Sequence, residues 1–96
     1  MTIDCGEQTR SHTVLITGGS RGIGRALCLA FAQAGWQVGV HYCERKAEAE
    51  QTVSLITQNG GTSTTYQADI RQVAPVDAMI KTFVTTYGHL DVMICN

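Results

Sequence analysis

Four glycines, Gly18, Gly19, Gly22 and Gly24, fall within seven residues, directly after the apolar run Thr13-Val-Leu-Ile16 and directly before a helical pattern. Glycine gives up the most backbone freedom on folding. A loop this rich in it points to a main chain that must turn tightly or be approached closely. Placed between a strand and a helix start, such a loop is where a doubly wound parallel sheet holds a phosphate. The first N–H groups of the helix point outward unpaired, and the helix dipole favours an anion there. Glycines also mark ordinary turns, so it is the position between the two elements that favours nucleotide binding. The spacing is Gly18-x-x-x-Gly22-x-Gly24 rather than the Gly-x-Gly-x-x-Gly of many dehydrogenases.

The remaining chain repeats the same alternation. Thr13 to Ile16 reads as a buried strand. Ile23, Leu27, Ala30, Phe31 and Ala34 share one helical face, and Gly35 stops that helix. Gln37 to Tyr42 is a second strand with Val38 and Val40 inside, followed by a charged helix over Lys46 to Gln58 that stops at Asn59-Gly-Gly61. Ser63 to Ala68 is a third strand. Pro75 fits the first turn of the next helix, whose stripe is Val76, Met79, Ile80, Phe83, Val84 and Tyr87, and Gly88 caps it. Asp91-Val-Met-Ile-Cys95 is a fourth strand, apolar as a strand covered on both faces should be. The order βαβαβαβ with short connections predicts an α/β fold: a doubly wound, Rossmann-like parallel sheet with right-handed crossovers. Residues 1–11 are polar and aperiodic and predict a flexible tail.

With 96 residues the chain holds one small domain at most, and 44% apolar residues suit a soluble core. Seven basic against eight acidic residues speak against a nucleic-acid surface or a polybasic membrane patch. No apolar run approaches the ~20 residues of a membrane span, and the first residues lack the basic and apolar regions of a signal peptide. Cys5, Cys28, Cys43 and Cys95 contain no Cys-x-x-Cys pair, and His12, His41 and His89 show no ligand spacing. No metal site is expected, and the cysteines read as reduced thiols of a cytoplasmic protein.

Thr17-Gly-Gly-Ser-Arg-Gly-Ile-Gly24 resembles the Thr-Gly-x-x-x-Gly-x-Gly signature of the short-chain dehydrogenase/reductase family. Asp69-Ile70 after the third strand matches that family's Asp-hydrophobic pair. Leu90-Asp-Val-Met-Ile-Cys-Asn96 matches the strand leading into its Asn-Asn-Ala-Gly motif, with Cys95 in place of the first Asn. Within the family the likeness is to 3-oxoacyl-(acyl-carrier-protein) reductases. The resemblance implies that Gly18, Gly22 and Gly24 shape a phosphate loop and that Ser20 and Arg21 flank the adenosine ribose. For Ile23, packing under the nucleotide and packing in the core are compatible readings. Asp69 would accept a hydrogen bond from the adenine amino group, Ile70 would add a backbone contact, and Asn96 would lie near the ribose. The alternative for Asp69 is a helix N-cap or a solvated turn.

An NAD site carries an acidic residue about 20 positions past the loop, at the end of the second strand. Tyr42 stands there, which removes the obstacle to a 2′-phosphate, and Arg21 offers a guanidinium fork suited to phosphate. Cys43 adds a backbone N–H or thiol, and Arg45 or Lys46 adds charge, whereas Glu44 favours the opposite choice. NADP(H) is favoured, with NAD(H) the alternative.

The resemblance further implies hydride transfer between the cofactor and a ketone or 3-oxoacyl thioester, and a homo-oligomer in the full-length form. It places the working Ser and Tyr-x-x-x-Lys beyond the fourth strand. The match Tyr42-Cys-Glu-Arg-Lys46 spans a strand end and a loop on the adenosine side and is rejected. No catalytic residue is therefore assigned. Residues 12–96 are expected to be a partial NAD(P)-binding Rossmann domain cut off after its fourth strand, inactive alone. The rival reading is a non-catalytic nucleotide-binding or regulatory protein that keeps only the loop.

Overall fold

Alternating apolar runs and amphipathic segments fold as four parallel strands and three helices in the computed structural model, which describes residues 12–96. The tail expected over residues 1–11 lies outside the described residues. The elements are β1 (Thr13–Ile16), α1 (Gly22–Gln33), β2 (Gln37–Tyr42), α2 (Lys46–Gln58), β3 (Thr62–Gln67), α3 (Val73–Tyr87) and β4 (Val92–Ile94). The sheet order is β3-β2-β1-β4. Every pairing is parallel, with Val14 opposite both Val38 and Val92.

Side chains alternate across each strand, so β1 feeds two cores. Val14 and Ile16 join Val38, Val40, Cys28, Ala49 and Ile56 under α1 and α2. Leu15 turns to the opposite face and meets Tyr66, Met79 and Phe83 under α3. Phe83 is fully buried, and a side chain of that kind contributes about 1.5–3 kcal/mol by leaving water. Gly88 ends α3 in the left-handed conformation, its N–H donating to Val84 O at 2.7 Å.

Three expectations shift. α1 is rotated from the expected stripe: its inward face runs through Gly24 and Cys28, with Leu27, Phe31 and Ala32 packed beside them. Ile23 is 74% exposed, and Ala30 and Ala34 are exposed too. The helix sits on its small residues because a Cβ at Gly24 would lie 1.9 Å from Gly18 O. β3 starts at Thr62 and ends at Gln67, one residue earlier at each end than expected. β4 is three residues long rather than running from Asp91 to Cys95, and it lies at the sheet edge with Val92 exposed. It begins late because the Asp91 carboxylate turns back to accept the Thr13 N–H at 2.8 Å. Among the described residues no helix is long and apolar enough to cross a membrane.

Candidate functional site

The strand order reverses direction at β1, with β2 on one side and β4 on the other. In open α/β sheets such a switch point leaves a crevice outside the carboxyl ends of the strands. Here it is a cleft of about 720 Å³, walled by the glycine loop, the end of β2 and the start of α2, with Ile70 and Asn96 across from them.

The loop meets this cleft with bare main chain. Gly18 and Gly22 have φ of 65° and 61°, a region that side chains with a Cβ rarely enter. Arg21 is the N-cap of α1, in extended conformation, and no side chain caps the helix. The Arg25 N–H, on Arg21 O at 3.3 Å, is the first to close on the helix. The N–H groups from Ser20 to Gly24 have no partner among the described residues. No acidic residue occupies the first turn. Ser20, Arg21 and Gly22 line the cleft, so the unpaired N–H dipoles at this helix start give that part of its wall a positive potential.

Behind the loop a set of side-chain and main-chain contacts holds it in place. His41, buried on β2, accepts the Gly18 N–H at Nδ1 (3.1 Å), and its Nε2 lies 2.8 Å from Ala68 O. A carbonyl can only accept, so the imidazole is the neutral tautomer protonated at Nε2. The Gly19 N–H donates to the backbone carbonyl of the same histidine at 2.9 Å. From α1, Arg25 Nη2 donates to Ser20 O at 2.7 Å and Arg25 Nε to Thr52 Oγ1 at 2.9 Å. On the far side, Asn96 Nδ2 reaches Gly18 O at 3.4 Å, and the Asn96 N–H donates to Thr17 Oγ1 at 2.9 Å.

Of the residues singled out in the sequence, Gly18, Ser20, Arg21, Gly22, Tyr42, Cys43, Ile70 and Asn96 line the cleft together. The Arg21 side chain is exposed and carries no ion pair or hydrogen bond among the described residues. Tyr42 is buried as the last residue of β2, and Lys46 opens α2, so the two do not share a helix face. Glu44 and Arg45 also line the cleft, and Arg45 Nη1 pairs with Glu48 Oε1 at 3.0 Å.

Ile23, Gly24 and Asp69 are not brought to the cleft wall. Gly24 lies beneath the loop. Asp69 is neither an N-cap, a position held by Gln72, nor free: its carboxylate accepts the Arg71 N–H and Nε at 3.0 Å on Oδ1 and Arg71 Nη2 at 3.0 Å on Oδ2. The Arg71 side chain, helped by that backbone N–H, holds the Asp69 carboxyl down at about 2.

His41, Arg25 and Thr52 also hold the loop, and the sequence does not single them out. Their partners lie 23 to 33 residues away along the chain or are loop carbonyls. No local spacing marks them. Only Thr17, already inside the quoted motif, was within reach of sequence reasoning.

Sheet and cleft together define the class: a doubly wound parallel sheet whose first strand-to-helix loop lies bare at the switch point. The chain belongs to the short chain dehydrogenase family, whose sequence model matches residues 12–96. It is 42% identical over 86 residues to the 3-oxoacyl-(acyl-carrier-protein) reductase FabG of Staphylococcus aureus, covering 90% of this chain and 35% of that protein. It is 39% identical over 82 residues to the short-chain dehydrogenase/reductase homolog YusS of Bacillus subtilis, covering 85% of this chain and 75% of YusS. A solved dehydrogenase/reductase from Sinorhizobium meliloti superposes with a TM-score of 0.88 at 33% identity, over 91% of this chain and 34% of its own. The chain thus spans about a third of the length of the FabG relatives it matches.

Proposed function

We propose that this chain forms the adenosine-side cofactor cleft of an NADP(H)-dependent short-chain oxidoreductase. The observation that carries the reading is the run of unpartnered N–H groups from Ser20 to Gly24 at the uncapped start of α1. Such a run suits the oxygens of a dinucleotide diphosphate, which is doubly charged and needs donors rather than side chains. Residues present and group required fit each other on that ground.

The roles follow from placement. Ser20, Arg21 and Gly22, which line the cleft, hold the diphosphate through main chain. Arg21, exposed at the cleft mouth, and Arg45 at the start of α2 supply charge for a 2′-phosphate. Tyr42 at the end of β2 leaves that position without a carboxylate. Glu44 is the one acidic side chain on the cleft wall among the described residues, so it opposes a 2′-phosphate and sets how far NADP(H) is preferred. Ile70 and Asn96 close the far side. The nicotinamide cofactor supplies the hydride; the chain's own residues bind and orient it. The names of the FabG relatives support a small carbonyl substrate of the 3-oxoacyl type for the protein as a whole.

Titration of the chain with NADPH and NADH, followed by nucleotide fluorescence, tests the reading. NADPH is expected to bind more tightly than NADH. Arg21→Ala is expected to weaken NADPH by about tenfold, the low end for a hydrogen bond to a charged group, and to leave NADH unchanged. Equal NADPH affinity in parent and variant removes Arg21 from the site, and no binding of either nucleotide removes the proposal.

A further inference from the structure

Arg25 has an unusual set of partners for an arginine beside a phosphate-type loop. Its guanidinium touches Thr52 Oγ1 at 2.9 Å, Ser20 O at 2.7 Å, Glu48 O at 3.0 Å and Gln51 Oε1 at 3.3 Å, all neutral acceptors. No carboxylate pairs with it among the described residues, since the Glu48 carboxylate is taken by Arg45. Among the described residues its charge thus meets only neutral acceptors behind the loop.

Thr52, completely buried on α2, completes the arrangement. Its Oγ1 lies 3.1 Å from Gly19 O, 3.3 Å from Ser20 O and 3.2 Å from Glu48 O. Arg25 already serves Ser20 O and Glu48 O. A hydroxyl has one proton, so it goes to Gly19 O, the shortest of the three. Two consecutive loop carbonyls are thus held by two different side chains, one from each helix.

A trans peptide points its C=O and the following N–H in opposite directions. Fixing Gly19 O and Ser20 O toward Arg25 and Thr52 therefore turns the Ser20 and Arg21 N–H groups the other way, and both residues line the cleft. Without the anchors, these peptide units have only glycine-rich neighbours to hold them. We propose that Arg25 and Thr52 are positioning residues: a clamp that aims the Ser20 and Arg21 N–H groups at the diphosphate and backs them with a fixed positive charge. The inference rests on the cofactor reading above.

The test compares two probes on the 96-residue chain by calorimetry. NADPH carries the diphosphate; 2′-AMP carries the adenosine and the 2′-phosphate without it. Thr52→Val is expected to raise the NADPH dissociation constant about fivefold, the weight of one net hydrogen bond, with 2′-AMP held within about twofold. Thr52→Ser, which keeps the hydroxyl, restores NADPH binding. Arg25→Lys, which keeps the charge and gives up the fork, weakens NADPH in the same selective way and decides the matter if Thr52→Val does not fold. Parent-like NADPH binding in Arg25→Lys and in any folded Thr52→Val overturns the clamp. Equal losses for both probes also overturn it, by showing a general structural role. A parent that binds no NADPH overturns the cofactor reading itself, and the clamp with it.

Discussion

Gly24 and Gly22 are glycines for different physical reasons, and the difference is measurable. A Cβ at Gly24 would sit 1.9 Å from Gly18 O and 2.8 Å from Asn96 Nδ2, so alanine there must drive helix and loop apart. A Cβ at Gly22 meets nothing within 4 Å; the cost there is the positive φ alone. Gly24→Ala is expected to cost about 3 kcal/mol or more, the upper range for overpacking a rigid contact, and Gly22→Ala about 1–2 kcal/mol. At about 4–8 °C per kcal/mol for a domain of this size, thermal melts followed by circular dichroism separate the two. Equal melting temperatures would show that the loop does not sit on α1 as described. Residue types and spacing announced these glycines. They could not announce His41, whose ring joins Gly18 N–H to Ala68 O across two strand ends. That contact exists only after the sheet forms, and a histidine inside an apolar strand carries no outward sign of it.

Helices and strands were easier to read than the turns between them. Period and stop signals gave α2 its observed ends, because Lys46 follows a polar turn and Gly60 breaks the helix with φ of 83°. The facing of α1 differs from the expected stripe because large apolar residues mark one face while close packing selects another, through Gly24 and Cys28. In the β3–α3 turn the sequence leaves Asp69 between an adenine contact and an N-cap or solvated turn residue; Gln72 takes the N-cap, and Arg71, two residues on, grips the Asp69 carboxylate. That grip has a pH signature. The folded carboxyl lies at about 2 against an ordinary 3.8, so its contribution is complete above 3.8 and is lost as pH falls through about 2. Arg71→Gln is expected to return Asp69 to the ordinary carboxylate range in an NMR titration of its side-chain carbonyl carbon. An unchanged low value would place the cause in the backbone N–H rather than in the guanidinium.

Taken whole, the molecule is a sheet whose order puts the ends of β1, β2 and β4 around one crevice. Thr17 and Asn96, 79 residues apart in the chain, meet there at 2.9 Å. A second cleft of about 630 Å³ opens at the opposite end, between the last turns of α1 and α2, and includes Leu29, Ala32, Ile56 and Gly60. The helix ends present carbonyls there, so it disfavours the anion proposed for the first cleft. The two clefts therefore make opposite forecasts for one experiment, a titration of the ¹⁵N-labelled chain with NADPH followed through its amide resonances. The largest shifts are predicted at Ser20 to Gly24, with Cys43 to Arg45 and Ile70 next. Resonances of residues 18–24 that stay still while those of Leu29, Ala32, Ile56 and Gly60 move would contradict the account.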